Sequence, residues 1–480
     1  MNSDRSAQLG QDNIPWLLLK FATPATVGLL AQGMYAIIDR VFVGRALGAD
    51  AVAGIAGISV AFPFMLIVLA FGMLVGFGGT ALISIRLGEQ KKAEAEQILG
   101  NIATLLVILS LLITVVGLAT LDPILRHFFG ASDAVLPFAR DYLKVILLGT
   151  IFQTVGFGLN AVIRGEGNPF VAMFSMLISV VLNIVFAPIF LFWFGWGMKG
   201  AALATVLAQV ATAVWVVVHF RSRASLLKLR IRNLPLRWNI CAKIFAIGSP
   251  ACALQLAASV FQCLMIRQLG AYGNAELGRS GGDLAISVMG IVFAVITMFV
   301  MPVFGINQGV QPIVGYNHGA RRFNRVKKAL ETAILAASGV TTFGFVMTML
   351  FPGHFVRLFA DRPETLRTLL PLGTHAIRAC TLMFPIIGFQ IVSAGYFQAV
   401  GKPVQAMFLM LSRQVILLIP AVLILPCFFG LNGVWAALPT ADFIAAAWTG
   451  VCLLLELRHL RDQHQTTTES PLCIEPFVNL

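Results

Sequence analysis

The sequence predicts an all-α integral membrane protein with twelve transmembrane helices, arranged as two six-helix lobes related by a pseudo-twofold axis along the membrane normal. Three observations carry this expectation. First, hydrophobic residues make up 58% of the 480-residue chain and charged residues only 11%, with a mean hydropathy of +0.87. Soluble domains run at roughly 45–50% apolar and about 25% charged, and so few charges cannot cover the surface of a water-soluble protein this long. Second, twelve apolar runs reach the length of about 20 residues that a helix needs to cross hydrocarbon. Third, the two halves repeat.

In chain order the spans read over 16–39, 52–85, 98–121, 137–163, 169–194, 200–220, 243–268, 283–313, 328–351, 370–397, 403–429 and 433–456. The second and eighth runs are too long for a straight perpendicular helix. They must tilt, bend or protrude, and Pro63, Pro302 and Pro312 offer places to bend. The start of the chain has Asp4, Arg5 and Asp12 before Pro15. That is no secretory signal peptide, so the first membrane helix is read as the insertion signal. The seven cysteines fall in the second half and never in C-x-x-C spacing, so neither a disulfide framework nor a zinc site is expected. The resulting division is a tail at 1–15, a first lobe at 16–220, a linker at 221–242, a second lobe at 243–456 and a tail at 457–480.

The net charge of +13 would suit a nucleic-acid partner, but the basic residues sit in short clusters between apolar runs. With twelve spans, both termini and the even-numbered loops share one side. Those segments hold 21 of the 34 Lys and Arg residues, including Lys91, Lys92, Arg221, Arg223, Arg321 and Arg322. Lysine and arginine bias sets orientation, so both ends are expected in the cytoplasm and no nucleic-acid partner is expected.

The repeat shows as matched segments. GMKGAALATVLAQ (Gly197–Gln209) aligns with GLNGVWAALPTAD (Gly430–Asp442) at an offset of 233, GEGNP (Gly165–Pro169) with AVGKP (Ala399–Pro403) at 234, and Lys91–Lys92 with Arg321–Arg322 at 230. Six spans per half is an even number, so both halves insert the same way round. That is the parallel-repeat plan of one transporter class, with substrate between the halves and access alternating as they rock.

Five stretches resemble the multidrug and toxic compound extrusion (MATE) family, and within it the MepA-type branch. They are AIIDRVFVGRALG (Ala36–Gly48), GFGGTALISIRLGEQKKAEAE (Gly76–Glu96), GGDLAISVMGIV (Gly281–Val292), MPVFGINQGVQPIVGYNHGARR (Met301–Arg322) and FPIIGFQIVSAGYFQAVGKP (Phe384–Pro403). The resemblance covers about Pro15 to Leu457. It implies a monomer in the cytoplasmic (inner) membrane that exports drugs, organic cations or metabolites by proton- or sodium-coupled antiport and needs no cofactor.

Asp39 leads the residues with chemical promise. It ends the first apolar run, four residues after Tyr35 and seven after Gln32, so the three share a helix face. Acids in membrane segments usually mark ion or proton pathways; the competing reading is an interfacial acid paired with Arg40 or Arg45. Proton exchange near neutrality asks desolvation for several kcal/mol, at about 1.4 kcal/mol per pKa unit. Asn160 and Arg164, Asn183 and Thr205 are the other polar residues of these spans, and by spacing alone they read as helix-to-helix hydrogen-bonding groups. The resemblance changes both readings: it implies that Asp39 is the coupling acid and that Tyr35, Asn160, Asn183 and Thr205 surround it. One departure is Ala187, where many relatives carry a second acid. A hard cation prefers several oxygen ligands, so protons are favoured and sodium near Asp39 is the alternative.

In the second half Asp283 is read as capping the eighth helix. Asp442 either pairs with Arg413 or is functional, and Arg378 also calls for a partner. Gln308, Gln311 and Gln390, with Gln32, suit a cavity wall. A flippase for a lipid-linked saccharide precursor, from a related two-lobe family, is the second reading. A membrane-embedded enzyme ranks below it, because no H-E-x-x-H motif occurs and the seven histidines are scattered near span ends and loops.

Overall fold

The structure, a computed structural model, describes residues 8–47, 51–128, 135–278, 281–357 and 363–469, and every regular element among them is helical. The first half contributes α1 (Ile14–Ala46), α2 (Ala51–Gly88), α3 (Lys92–Ala119), α4 (Leu136–Gly165), α5 (Pro169–Pro188) and α6 (Gly197–Arg221). The second contributes α7 (Trp238–Leu277), α8 (Gly281–Gly319) and α9 (Phe323–Leu350), then α10 in two pieces, Pro363–Cys380 and Phe384–Ala399, bent by 46°. The next helix, α11, starts at Pro403, and α12 ends at Glu469; the two meet at Gly430, whose φ of 58° and ψ of −137° break the helix. Ten of these stretches are long and apolar enough to span a membrane, and the bent α10 makes eleven. The break at Gly430 divides the last stretch into two, giving the expected twelve.

Local chemistry explains several starts. Proline stands at the first turn of α4, α5, the second piece of α10 and α11, where its fixed φ suits a helix and its missing N–H costs nothing. The expected bends fall elsewhere than expected. Segments 51–88 and 281–319 are each one continuous helix with Pro63, Pro302 and Pro312 inside. At 1.5 Å per residue they are roughly 57 Å long, so they protrude. The real interruptions lie at residues 381–383 and at Gly430. The linker is also shorter than expected, because α7 begins at Trp238, and α12 runs on through Glu469 into the expected tail.

The backbone itself repeats. Left-handed φ values occur in matched pairs: Gln90 (63°) with Arg321 (55°), Gly167 (95°) with Gly401 (76°), and Gly197 (53°) with Gly430 (58°). The offsets are 231, 234 and 233, and the last two are those of the sequence motifs. Non-glycine residues rarely adopt this region, so sharing it at Gln90 and Arg321 marks the same turn built twice.

Packing then sets the relation of the lobes. One apolar core is built from both halves, joining Leu17, Ile83 and Leu159 with Ile244, Val314 and Tyr396. A second core draws only on 261–441 and a third only on 43–204. The lobes are therefore fused at one end and separate at the other. At the fused end Asn317 Nδ2 donates to Leu9 O (2.8 Å), Arg322 to Gly10 O (2.6 Å) and Arg325 to Asp12 O (2.6 Å). Farther along, Thr26 Oγ1 reaches Pro302 O at 3.5 Å. Beyond that point Met34 is 63% and Met298 58% exposed, so a cleft opens between α1 and α8. Outer faces are strongly apolar, with Trp193, Leu335 and Phe428 among the most exposed side chains, as lipid contact requires.

The fused end also carries the basic clusters. Burial there pushes the Glu89 carboxyl up, but hydrogen bonds and charge from Arg86 and Lys91 outweigh it and hold Glu89 below the usual carboxylate range. A lowered carboxylate stabilises the fold above its unfolded pKa, about 4.3, and loses that contribution only as pH falls through the depressed value. This network therefore stays intact across pH 5–8.

Gly78 and Gly248 allow α2 and α7 to touch backbone to backbone; a Cβ at Gly248 would collide with the Leu74 carbonyl and one at Gly78 with that of Ile244. Gly248→Val is expected to destabilise the fold by about 1–3 kcal/mol, the usual range for overpacking. Gly290→Ala, which meets nothing within 4 Å, should be neutral or stabilising. Thermal unfolding of the detergent-solubilised variants checks both.

Candidate functional sites in the two lobes

Each lobe holds a cavity. The first, of about 120 Å³, lies among α1, α4, α5 and α6, with Gln308 of α8 closing one side. Gln32, Asn160, Asn183 and Thr205 all reach it, as the sequence led one to expect. Asn183 Nδ2 donates to Thr205 Oγ1 (3.0 Å), which in turn donates to Ala201 O (3.2 Å). Asn160 Nδ2 donates to Ala172 O (2.7 Å) and to Ser175 Oγ, while its Oδ1 accepts from Arg164. The spacing-based reading of these residues as hydrogen-bonding groups between helices therefore describes real bonds, and the same groups also face open space.

Asp39 is 5% exposed on α1. It lies two turns beyond Gln32, about 10 Å along the axis, and it does not line the cavity. The side chains of Tyr35 and Asp283 lie outside the described residues.

The second-lobe cavity is larger, about 480 Å³, and more aromatic, with Phe261, Phe293, Phe304 and Phe384 in its wall. Its polar patch is an ion pair. Arg413 Nε donates to Asp442 Oδ1 at 2.5 Å, with Asp442 buried and Arg413 30% exposed. Of the two readings open for Asp442, the pairing is realised. Gln390 lines this cavity and donates to Asp442 O (2.6 Å). Gln308 belongs to the first-lobe cavity although α8 is in the second half, and the buried Gln311 lines neither. Arg378 finds no carboxylate among the described residues; it donates to Met349 O (3.3 Å).

Sequence reading missed three features. Gln153 and Gln209 also line the first cavity, and each has a buried Oε1 without a hydrogen-bond partner among the described residues; their signal was polarity inside an apolar span. Asn307 does the same in the second lobe. Glu166, 2% exposed, binds His219 Nε2 (2.6 Å), Ser225 Oγ (2.7 Å) and the N–H groups of Leu226 and Leu227. This clamp fastens the linker to α4 and α6, and the partners' distance in sequence hid it.

Removing one partner of a buried ion pair costs about 3–5 kcal/mol when both are enclosed. Arg413 keeps contact with solvent, so Asp442→Asn should cost less, on the order of 1–3 kcal/mol. The double variant Arg413→Met with Asp442→Leu should recover part of that loss. A thermal-shift comparison of the single and double variants decides this.

Known proteins can now be set beside this geometry. The MatE family model matches residues 24–189 and again 258–423, one match per lobe at an offset of 234. The multidrug export protein MepA of Staphylococcus haemolyticus (strain JCSC1435) is 27% identical over 431 residues, 89% of this chain and 91% of that protein. Its counterpart in Staphylococcus aureus (strain MRSA252) is 27% identical over 447 residues, 92% and 94% of the two chains. A solved structure of the MATE multidrug transporter DinF-BH, in complex with a ligand, is 37% identical, with a TM-score of 0.85 over 95% of this chain and 98% of that one. An outward-facing MATE family transporter of the MOP superfamily shares the fold, with a TM-score of 0.86 at 23% identity over 95% and 98% of the two chains. With both lobes matched and nearly the whole length covered, this chain belongs to the MatE family, the multidrug and toxic compound extrusion transporters.

Proposed function

We propose that this protein is a secondary exporter of amphipathic drugs and organic cations that exchanges cargo for protons, with its lobes alternating access. Its membrane is the bacterial cytoplasmic one, with both termini in the cytoplasm. The relatives named for multidrug export and the multidrug transporter solved with a ligand support the cargo class. Lysine and arginine bias supports the orientation, and it makes the fused end the cytoplasmic one. The cleft between α1 and α8 then faces outward.

The observation that carries the coupling reading is Asp39, an acid 5% exposed on α1. Ionisable residues inside membrane segments usually mark ion or proton pathways. Among the described residues no three His, Cys, Asp or Glu side chains gather as a metal site, and Ala187 offers no second carboxylate. That donor set suits a proton better than a hard cation, which wants several oxygens. In the cycle, Asp39 takes a proton from outside, the first lobe repacks and cargo leaves through the cleft. Inward opening then returns the proton to the cytoplasm. The gradient supplies about 1.4 kcal/mol per pH unit and about 2.3 kcal/mol per 100 mV for each charge moved.

The second-lobe cavity, about 480 Å³ and faced with aromatic rings, is of drug size and suits cation–π contact with a lipophilic cation. Two pockets of this scale favour compact cargo over a lipid-linked saccharide.

In proteoliposomes, Asp39→Asn should abolish drug-stimulated proton movement while the protein stays folded; unchanged exchange would remove Asp39 from the mechanism. With each gradient imposed separately, efflux of a fluorescent cation should follow the pH gradient rather than sodium. The reverse would exchange the coupling ion.

A further inference from the structure

The exporter reading leaves one charge unused. Arg164, on the last turn of α4, is 5% exposed and lines the first-lobe cavity. Among the described residues its side chain has a single polar partner, the neutral Oδ1 of Asn160. A guanidinium has five N–H donors, so most of its hydrogen-bonding capacity is directed elsewhere. The nearest acid in sequence, Glu166, is consumed by His219, Ser225 and the linker N–H groups. A buried charge without a counter-charge is strongly disfavoured.

Packing alone does not call for that charge. The pseudo-symmetric position, 234 residues on, is Gln398, which is 1% exposed and donates to Ile247 O at 3.0 Å. The second lobe builds the same turn with a neutral amide that the backbone satisfies. Arg164 lines its cavity together with Asn183 and Thr205. Gln153 and Gln209 line the same space, and each has a buried Oε1 with no hydrogen-bond partner among the described residues.

We propose that Arg164 is an anion subsite that receives the carboxylate of an amphipathic organic substrate, with Gln153 and Gln209 accepting hydrogen bonds from donor groups on the same molecule. A planar guanidinium matches a carboxylate with two parallel hydrogen bonds. At about 120 Å³ the cavity holds a head group, and the rest of the molecule lies in the cleft. Carboxylate-bearing zwitterions thereby join lipophilic cations in the substrate range, each with its own lobe. The proposal rests on the reading of the chain as an exporter of amphipathic molecules and names part of its cargo.

Equilibrium binding tests it, using purified protein in nanodiscs and a matched dye pair: rhodamine 110, which has a free carboxylate, and its methyl ester, rhodamine 123. In the wild-type protein benzoate should displace the acid where equal chloride or phosphate does not. In Arg164→Gln the acid should weaken at least tenfold with the ester within twofold, and Arg164→Lys should retain part of the acid's affinity. Less than tenfold weakening of the acid in Arg164→Gln would overturn the proposal. So would equal weakening of both dyes in Arg164→Gln, which marks a structural role, or displacement by the inorganic anions. No gradient enters these measurements, so a failure of proton-coupled efflux and a failure of the carboxylate subsite are read separately.

Discussion

Hydrocarbon cannot hydrogen-bond, and that constraint shapes every part of this molecule. Backbone groups in lipid must be satisfied within their own segment, which leaves helices as the available element here. Charges must go to the ends, find a partner or serve a purpose. Each outcome occurs. Arg86, Glu89 and Lys91 bond one another where α2 leaves the membrane. Arg413 and Asp442 pair in the second lobe, and Asp39 and Arg164 lie buried in the first.

The same backbone is used twice with different side chains. Matched left-handed turns fix the two lobes in one shape, yet equivalent positions carry different chemistry. Asp442 aligns with Gln209, Arg413 with Ser179 and Gln398 with Arg164. The first two alignments join residues that line the respective cavities. Duplication supplied two similar hollows, and substitution made one small and polar and the other large and aromatic. A broad substrate range follows more readily from two unlike cavities than from a single compromise.

The opening between the lobes has a simple mechanical origin. A shared apolar core and close backbone contact at Gly78 and Gly248 hold one end together, while each lobe keeps its own core at the other. Opening the fused end requires breaking the grip of Asn317, Arg322 and Arg325 on the carbonyls of Leu9, Gly10 and Asp12. Those are a few hydrogen bonds to neutral acceptors, each of modest net strength. The separate lobe cores let each six-helix unit move as a body.

The sequence by itself determined the solvent, the number of helices and the repeat, because each depends on local composition or on periodic pattern. It also showed which polar residues sit inside apolar spans, so Asn160, Asn183, Thr205 and Asp39 could be picked out. Tertiary structure decided which of them meet. It put Gln308 in the first-lobe cavity and Gln311 in neither, joined Arg413 to Asp442 instead of leaving either free, and ran the long second and eighth helices continuously through their prolines. It alone showed that Glu166 is spent on the linker and that Arg164 has no acid beside it among the described residues. Such facts depend on which helix faces lie together and at what depth, and no stretch of sequence records the distance between residues on different helices.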